Sequence, residues 1–141
     1  MTRMMGGLVA AVMLATAAPA LSHHAFSAEF DQSKPIKMTG NVSRVLWSNP
    51  HAWIYIDVKD AEGKVVEWGF ETVAANNLFR RGWRPADIVV GTQVTIEGWP
   101  ARNGTPKGNA GRILLADGRQ FFSEAPGQPA APGQPAAPAA P

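Results

Sequence analysis

From residue 36 to residue 99 the apolar positions fall on every second residue in short runs, which is the period of strands rather than helices. Ile36, Met38, Gly40 and Val42 alternate with polar residues, and the phase then slips to Val45 and Trp47. A glycine followed by a change of phase predicts a long first strand over 36–47 with a bulge or coil at Gly40. Ser48-Asn49-Pro50 is a turn. Beyond it, Ala52, Ile54, Ile56 and Val58 mark one face of a second strand, and His51, Trp53, Tyr55 and Asp57 the other. Residues 59–64 form a hairpin loop with Gly63 available for a positive φ. A third strand over 65–71 sets Val66, Trp68 and Phe70 on one face, with Glu67 and Glu71 opposite as ordinary surface carboxylates.

The period changes after Glu71. Thr72 reads as the N-cap of a short helix through 73–81, with Arg80 and Arg81 at its negative end and Gly82 as terminator. Val73, Ala74, Leu78 and Phe79 can close one end of a barrel. A fourth strand follows over 92–99 with Val94 and Ile96 inward, and 101–110 reads as a Gly-, Asn- and Pro-rich loop in which Arg102 and Lys107 are solvated. Segments 111–115 and 119–122 flank the tight-turn signal Ala116-Asp117-Gly118. Three strands, a helix and then two or more strands is the order of an OB-like barrel. The fold class expected is therefore all-β with one short helix, an OB-like five- to six-stranded small barrel whose helix lies between strands 3 and 4. An open β-roll or an SH3-like barrel is the rival.

The two ends do not share this pattern. Residues 1–22 carry Arg3, a short apolar run and then small residues, which is the plan of a secretory signal peptide. Cleavage after Ala20 or after Ser22 satisfies the small-x-small rule, and the second makes His23 the first residue. Export places the protein in the periplasm or outside the cell, with no transmembrane anchor after cleavage. Residues 125–141 repeat Ala-Pro-Gly-Gln-Pro-Ala and lack side chains for a core, so they read as a disordered tail, either solvated or a spacer. The domain is 23–124.

Charge removes one class of partner. Lys plus Arg number 13 against 11 Asp plus Glu, and loss of Arg3 leaves 12 against 11. That near-neutral mixture is no footprint for nucleic acid. The absence of cysteine excludes disulfides, thiolate metal sites and a cysteine nucleophile. With no phosphate loop, no Gly-x-Ser-x-Gly elbow and no His-Glu-x-x-His helix, the chain reads as non-enzymatic.

Several segments together resemble a family of small exported bacterial proteins of unknown function. They are His23-His24-Ala25-Phe26, Gly40-Asn41-Val42, Trp47-Ser48-Asn49-Pro50-His51-Ala52-Trp53, Arg80-Arg81-Gly82-Trp83 and Asp117-Gly118-Arg119. The resemblance runs from His23 to about Phe122. It implies an OB-like β domain in the cell envelope and no settled activity.

All three histidines fall in these motifs: His23, His24 and His51. Imidazole is a ligand of Cu(II), Zn(II) and Ni(II), and an N-terminal amine beside a histidine adds a second nitrogen in a chelate ring. His23, His24 and His51 are thus candidate metal ligands, with copper the candidate metal, provided the N-terminal pair meets His51 in space. The plain alternative is a solvated arm and a His51 that caps a turn or packs between Trp47 and Trp53. Glu29, Asp31, Glu67 and Glu71 are weaker candidates for further ligands. From a different class, Trp53 and Tyr55 offer stacking groups on the outer face of strands 2 and 3, a binding surface for a carbohydrate, peptide or protein partner. Against this, all five tryptophans can be core and rim packing.

Overall fold

The computed structural model describes residues 26–123 and 128–130. The expected signal peptide, His23, His24 and most of the expected tail lie outside those residues. The described chain contains β1 (Ile36–Leu46), β2 (Trp53–Lys59), β3 (Val65–Glu71), helix α1 (Ala75–Arg80), β4 (Gln93–Pro100), β5 (Lys107–Leu115) and β6 (Gln120–Phe122). A 3₁₀ turn, Pro85–Asp87, separates α1 from β4.

β1 pairs antiparallel with β2 through its second half and with β4 through its first. β2 pairs with β3, β4 with β5, and a short parallel contact between β3 and β5 closes the circuit. The order β1-β2-β3-β5-β4-β1, with the helix between β3 and β4, is the OB-like barrel expected, and β6 extends the β5 edge. Inside it Val42, Ile54, Ile56, Phe70, Val94, Ile96 and Ile113 form one core, and Leu78 from α1 and Trp83 behind it seal one end. The Trp83 ring lies 4.0 Å from that of Phe121.

Three expectations about the strands and the helix are corrected. The irregularity in β1 lies between Val42 and Arg44, not at Gly40. Gly40 is required for another reason: a Cβ there would run into the Asp57 carbonyl of β2, so glycine lets the strands approach. Thr72 does not cap α1. Its hydroxyl is buried and donates to the carbonyls of Ala52 and Val73, while Ala74 occupies the N-cap position without a side-chain bond. The free N–H groups of the helix start are met from a distant turn, Ala75 N by Ser48 O and Asn76 N by Asn49 Oδ1. Finally, the expected loop 101–110 ends early, because Lys107 to Ala110 already belong to β5 and make the closing contact with β3.

A second, smaller cluster lies outside the barrel. The chain enters as a helical turn over 26–29, and Phe26 and Phe30 pack on Trp99. Phe30 forms a bridge with Ala101, Asp31 N donates to Pro100 O, and Arg102 donates from its backbone to Glu29 O and from Nε to Ser27 O. Arg102, expected to be solvated, is instead half-exposed and holds this segment to the end of β4.

Candidate functional site

The second strand carries the alternation expected of it: Ala52, Ile54 and Ile56 are buried, and His51, Trp53 and Tyr55 face outward. Register then decides what stands beside them. Trp53 is opposite Glu71 on β3, Glu71 is beside Asn109 on β5, and Asn109 is opposite Trp99 on β4. Laterally paired residues point to the same side of a sheet, so Trp53, Glu71, Asn109 and Trp99 form one row across the outer face.

His51 sits at one end of this row. Its Nδ1 lies 2.7 Å from Glu71 Oε1 and 3.2 Å from the Thr72 carbonyl oxygen. The turn that carries it is fastened on both sides. Ser48 Oγ donates to the His51 carbonyl, and the backbone of Ala52 exchanges hydrogen bonds with Thr72 and Val73. The Asn49–Pro50 peptide within this turn is cis. Trp47, before the turn, stacks on Phe79 with centroids 5.4 Å apart.

Glu71 is not the ordinary surface carboxylate its position suggested: it is only 8% exposed. Burial pushes its carboxyl above the usual range, the facing His51 opposes that, and the charge of Glu29 adds to it. Asn109 is buried as well, and its Oδ1 meets no donor among the described residues. Such burial on an outward row means that the row is covered. The 26–30 segment docks at its Trp99 end, and Glu29 of that segment is close enough to influence Glu71.

Trp53 and Tyr55, the expected ligand-binding pair, are partly buried and stack at 6.2 Å with a 25° tilt. The guanidinium of Arg44 lies over the Tyr55 ring at 3.8 Å and is paired with Glu67, which also accepts from Ser43. Gly69 lies beneath the same ring. Of the remaining carboxylates, Asp31 is engaged by Ser33, Lys34 and Arg102.

Of the three histidines expected as metal ligands, the described residues include His51, and His23 and His24 lie outside them. Among the described residues no three His, Cys, Asp or Glu groups gather as a metal site would require. The residues sequence reasoning missed are Glu71 as a partner of His51, and Asn109.

No curated protein and no solved structure matches this chain. A family model matches residues 10–110, a span that includes the double histidine, the Asn-Pro-His turn and the strands up to the closing contact of β5. The chain belongs to that family, a family of unknown function designated DUF6152.

Proposed function

We propose that this is an exported, non-enzymatic protein of the bacterial cell envelope that binds a divalent transition metal, Cu(II) foremost, through His51 together with His23 and His24. The observation that carries this reading is the pair His51–Glu71. A ligating histidine ordinarily gives its other ring N–H to a carboxylate or a backbone carbonyl, and His51 has both at Nδ1. Chain reach supports the second half of the ligand set. His24 stands two residues before Phe26, a span of at most about 7 Å. Phe26 packs on Trp99, and Trp99 is two strand spacings, about 10 Å, from Glu71 along the row, a gap that the backbone and the imidazole side chain of His24 have to cover together. The buried oxygens of Glu71 and Asn109 favour an arriving N–H donor, which an α-amine or an imidazole supplies. Copper heads the series because imidazole-rich sites bind Cu(II) most tightly among first-row divalent ions.

The test is a Cu(II) titration of the exported protein against a competing buffer chelator, beside His51→Ala and His23→Ala. Binding that survives the competitor and weakens in both variants supports the reading. Affinity no better than that of the buffer, or unchanged in both variants, overturns it.

A second reading rests on the stacked Trp53–Tyr55 pair with Arg44 and Glu67 at its edge. It makes the outer face of β2 and β3 a binding surface for a carbohydrate, peptide or protein.

A further inference from the structure

We infer that Glu71 is a positioning residue that holds His51 as the Nδ1–H tautomer, leaving Nε2 as the ligating nitrogen and committing the site to nitrogen-seeking divalent ions. The inference deepens the metal reading above and rests on it for the identity of the ligand.

The argument starts from what each neighbour of Nδ1 can do. A backbone carbonyl oxygen accepts and never donates, and the Thr72 carbonyl lies 3.2 Å from Nδ1. An unprotonated Nδ1 would set its lone pair against that oxygen. Glu71 Oε1 at 2.7 Å is the stronger acceptor on the same nitrogen. Both contacts are satisfied together only when Nδ1 carries the proton, so in the neutral ring Nε2 holds the lone pair.

The fold makes this arrangement hard to escape. Glu71 is the last residue of β3, fixed opposite Trp53 by the ladder, and Thr72 N bonds to Ala52 O one residue after His51. The Thr72 carbonyl cannot turn away without breaking the β2–β3 register, and the ladder fixes the Glu71 backbone beside the ring. The imidazole itself is about half exposed, so the face away from Glu71 meets solvent.

The same geometry restricts the metal. Glu71 is buried and turned onto the ring, so the site presents an imidazole nitrogen rather than a carboxylate. Cu(II), Ni(II) and Zn(II) accept imidazole, whereas Ca(II) and Mg(II) are bound through several oxygen ligands.

The experiment uses the full exported chain, ¹⁵N-labelled, with long-range ¹H–¹⁵N correlation of the His51 ring before and after addition of Zn(II) alone. The expected result is an Nδ1–H, Nε2-unprotonated pattern without metal, a Zn(II)-induced shift at Nε2, and no response to Mg(II). Glu71→Ala leaves only the longer contact to the Thr72 carbonyl on Nδ1, and is expected to admit part of the Nε2–H tautomer and to weaken Zn(II) binding about 10- to 100-fold. Glu71→Gln, whose amide oxygen still accepts, restores the single tautomer, a rescue that a merely structural role would not tie to the ring pattern. If Glu71→Ala fails to fold, the wild-type pattern and Glu71→Gln still decide. An Nε2–H pattern in the wild type, or a Zn(II) shift confined to Nδ1, overturns the inference. Absence of Zn(II) uptake together with an Nδ1–H pattern supports the tautomer lock while sinking the metal reading.

Discussion

The ring of Phe26 meets the ring of Trp99 edge-on, with centroids 5.8 Å apart and planes at 83°. Phe30 joins them at 5.2 Å from Phe26, so the first described turn of the chain is fastened to the outer face of β4 rather than waving in solvent. Phe26→Ala removes this anchor. Burial of a phenylalanine is worth on the order of 3 kcal/mol, and here the loss falls on docking of the segment rather than on the barrel. Hydrogen exchange should show the amides of Asp31 and Arg102, which donate to the carbonyls of Pro100 and Glu29, losing protection while those of Ile54 and Ile96 keep theirs. Uniform loss across the barrel would mean that the segment is part of the global core.

Gly98 pairs with Ala110 at the register shift between β4 and β5, and a Cβ there would strike the Asn109 carbonyl. Backbone cannot swing aside as a side chain can. Gly98→Ala should therefore cost at least about 1–3 kcal/mol in denaturant unfolding. It should also disturb the Trp53–Glu71–Asn109–Trp99 row, because Asn109 is the residue displaced. A wild-type midpoint would contradict the close approach.

Arg119 joins two turns: its Nη1 donates to Asp87 at 2.6 Å and its Nε to Asp117 at 2.8 Å. The Arg119 side chain holds the Asp87 carboxyl below its ordinary value of 3.8, and the Arg119 backbone N–H holds that of Asp117 below the same value. Carboxyls depressed in the fold stabilise it when ionised. That contribution is complete above the unfolded pKa and is lost as pH falls through the lower folded values. Thermal stability should decline on acidification below about pH 4, and Asp87→Asn should flatten that limb of the curve. An Asp87→Asn protein with an unaltered acid limb would remove this cluster from the account. Asp117 is half-exposed and Asp87 partly exposed, so the effect is modest and weakens with salt.

The aromatic face has its own test. Trp53 is only partly buried, and its inward neighbours Ala52 and Ile54 carry the core on β2. Trp53→Ala should leave the barrel folded by circular dichroism while abolishing retention on any carbohydrate or peptide matrix the wild type binds. Unfolding in this variant would assign Trp53 to the core and end the second reading.

Alternation alone made β1 to β4 and the inward residues of β2 legible, because period two is a local property. What escaped was set by partners distant in sequence. α1 is capped by Ser48 and Asn49 from the turn before β2, a contact no local reading of Thr72 could show. Lys107-Gly108-Asn109 looks like loop because it is small and polar, yet Gly108 is small for a reason. A Cβ there would meet the Phe70 ring and the Trp99 carbonyl, so the residue that suggested a loop is what allows β5 to close the barrel. Glu71 alternated outward as expected, but only the β3–β5 contact and the docked 26–30 segment show that outward here is not exposed. His51 was legible as a candidate, and its partner was not.

In the metal site proposed above, one ion draws the N-terminal histidines and His51 together. Electron spin-echo envelope modulation of the Cu(II)-loaded exported protein counts the imidazoles coupled to the ion. The account predicts at least two, falling by one in His51→Ala with the protein still folded. A modulation pattern identical in wild type and His51→Ala would contradict it.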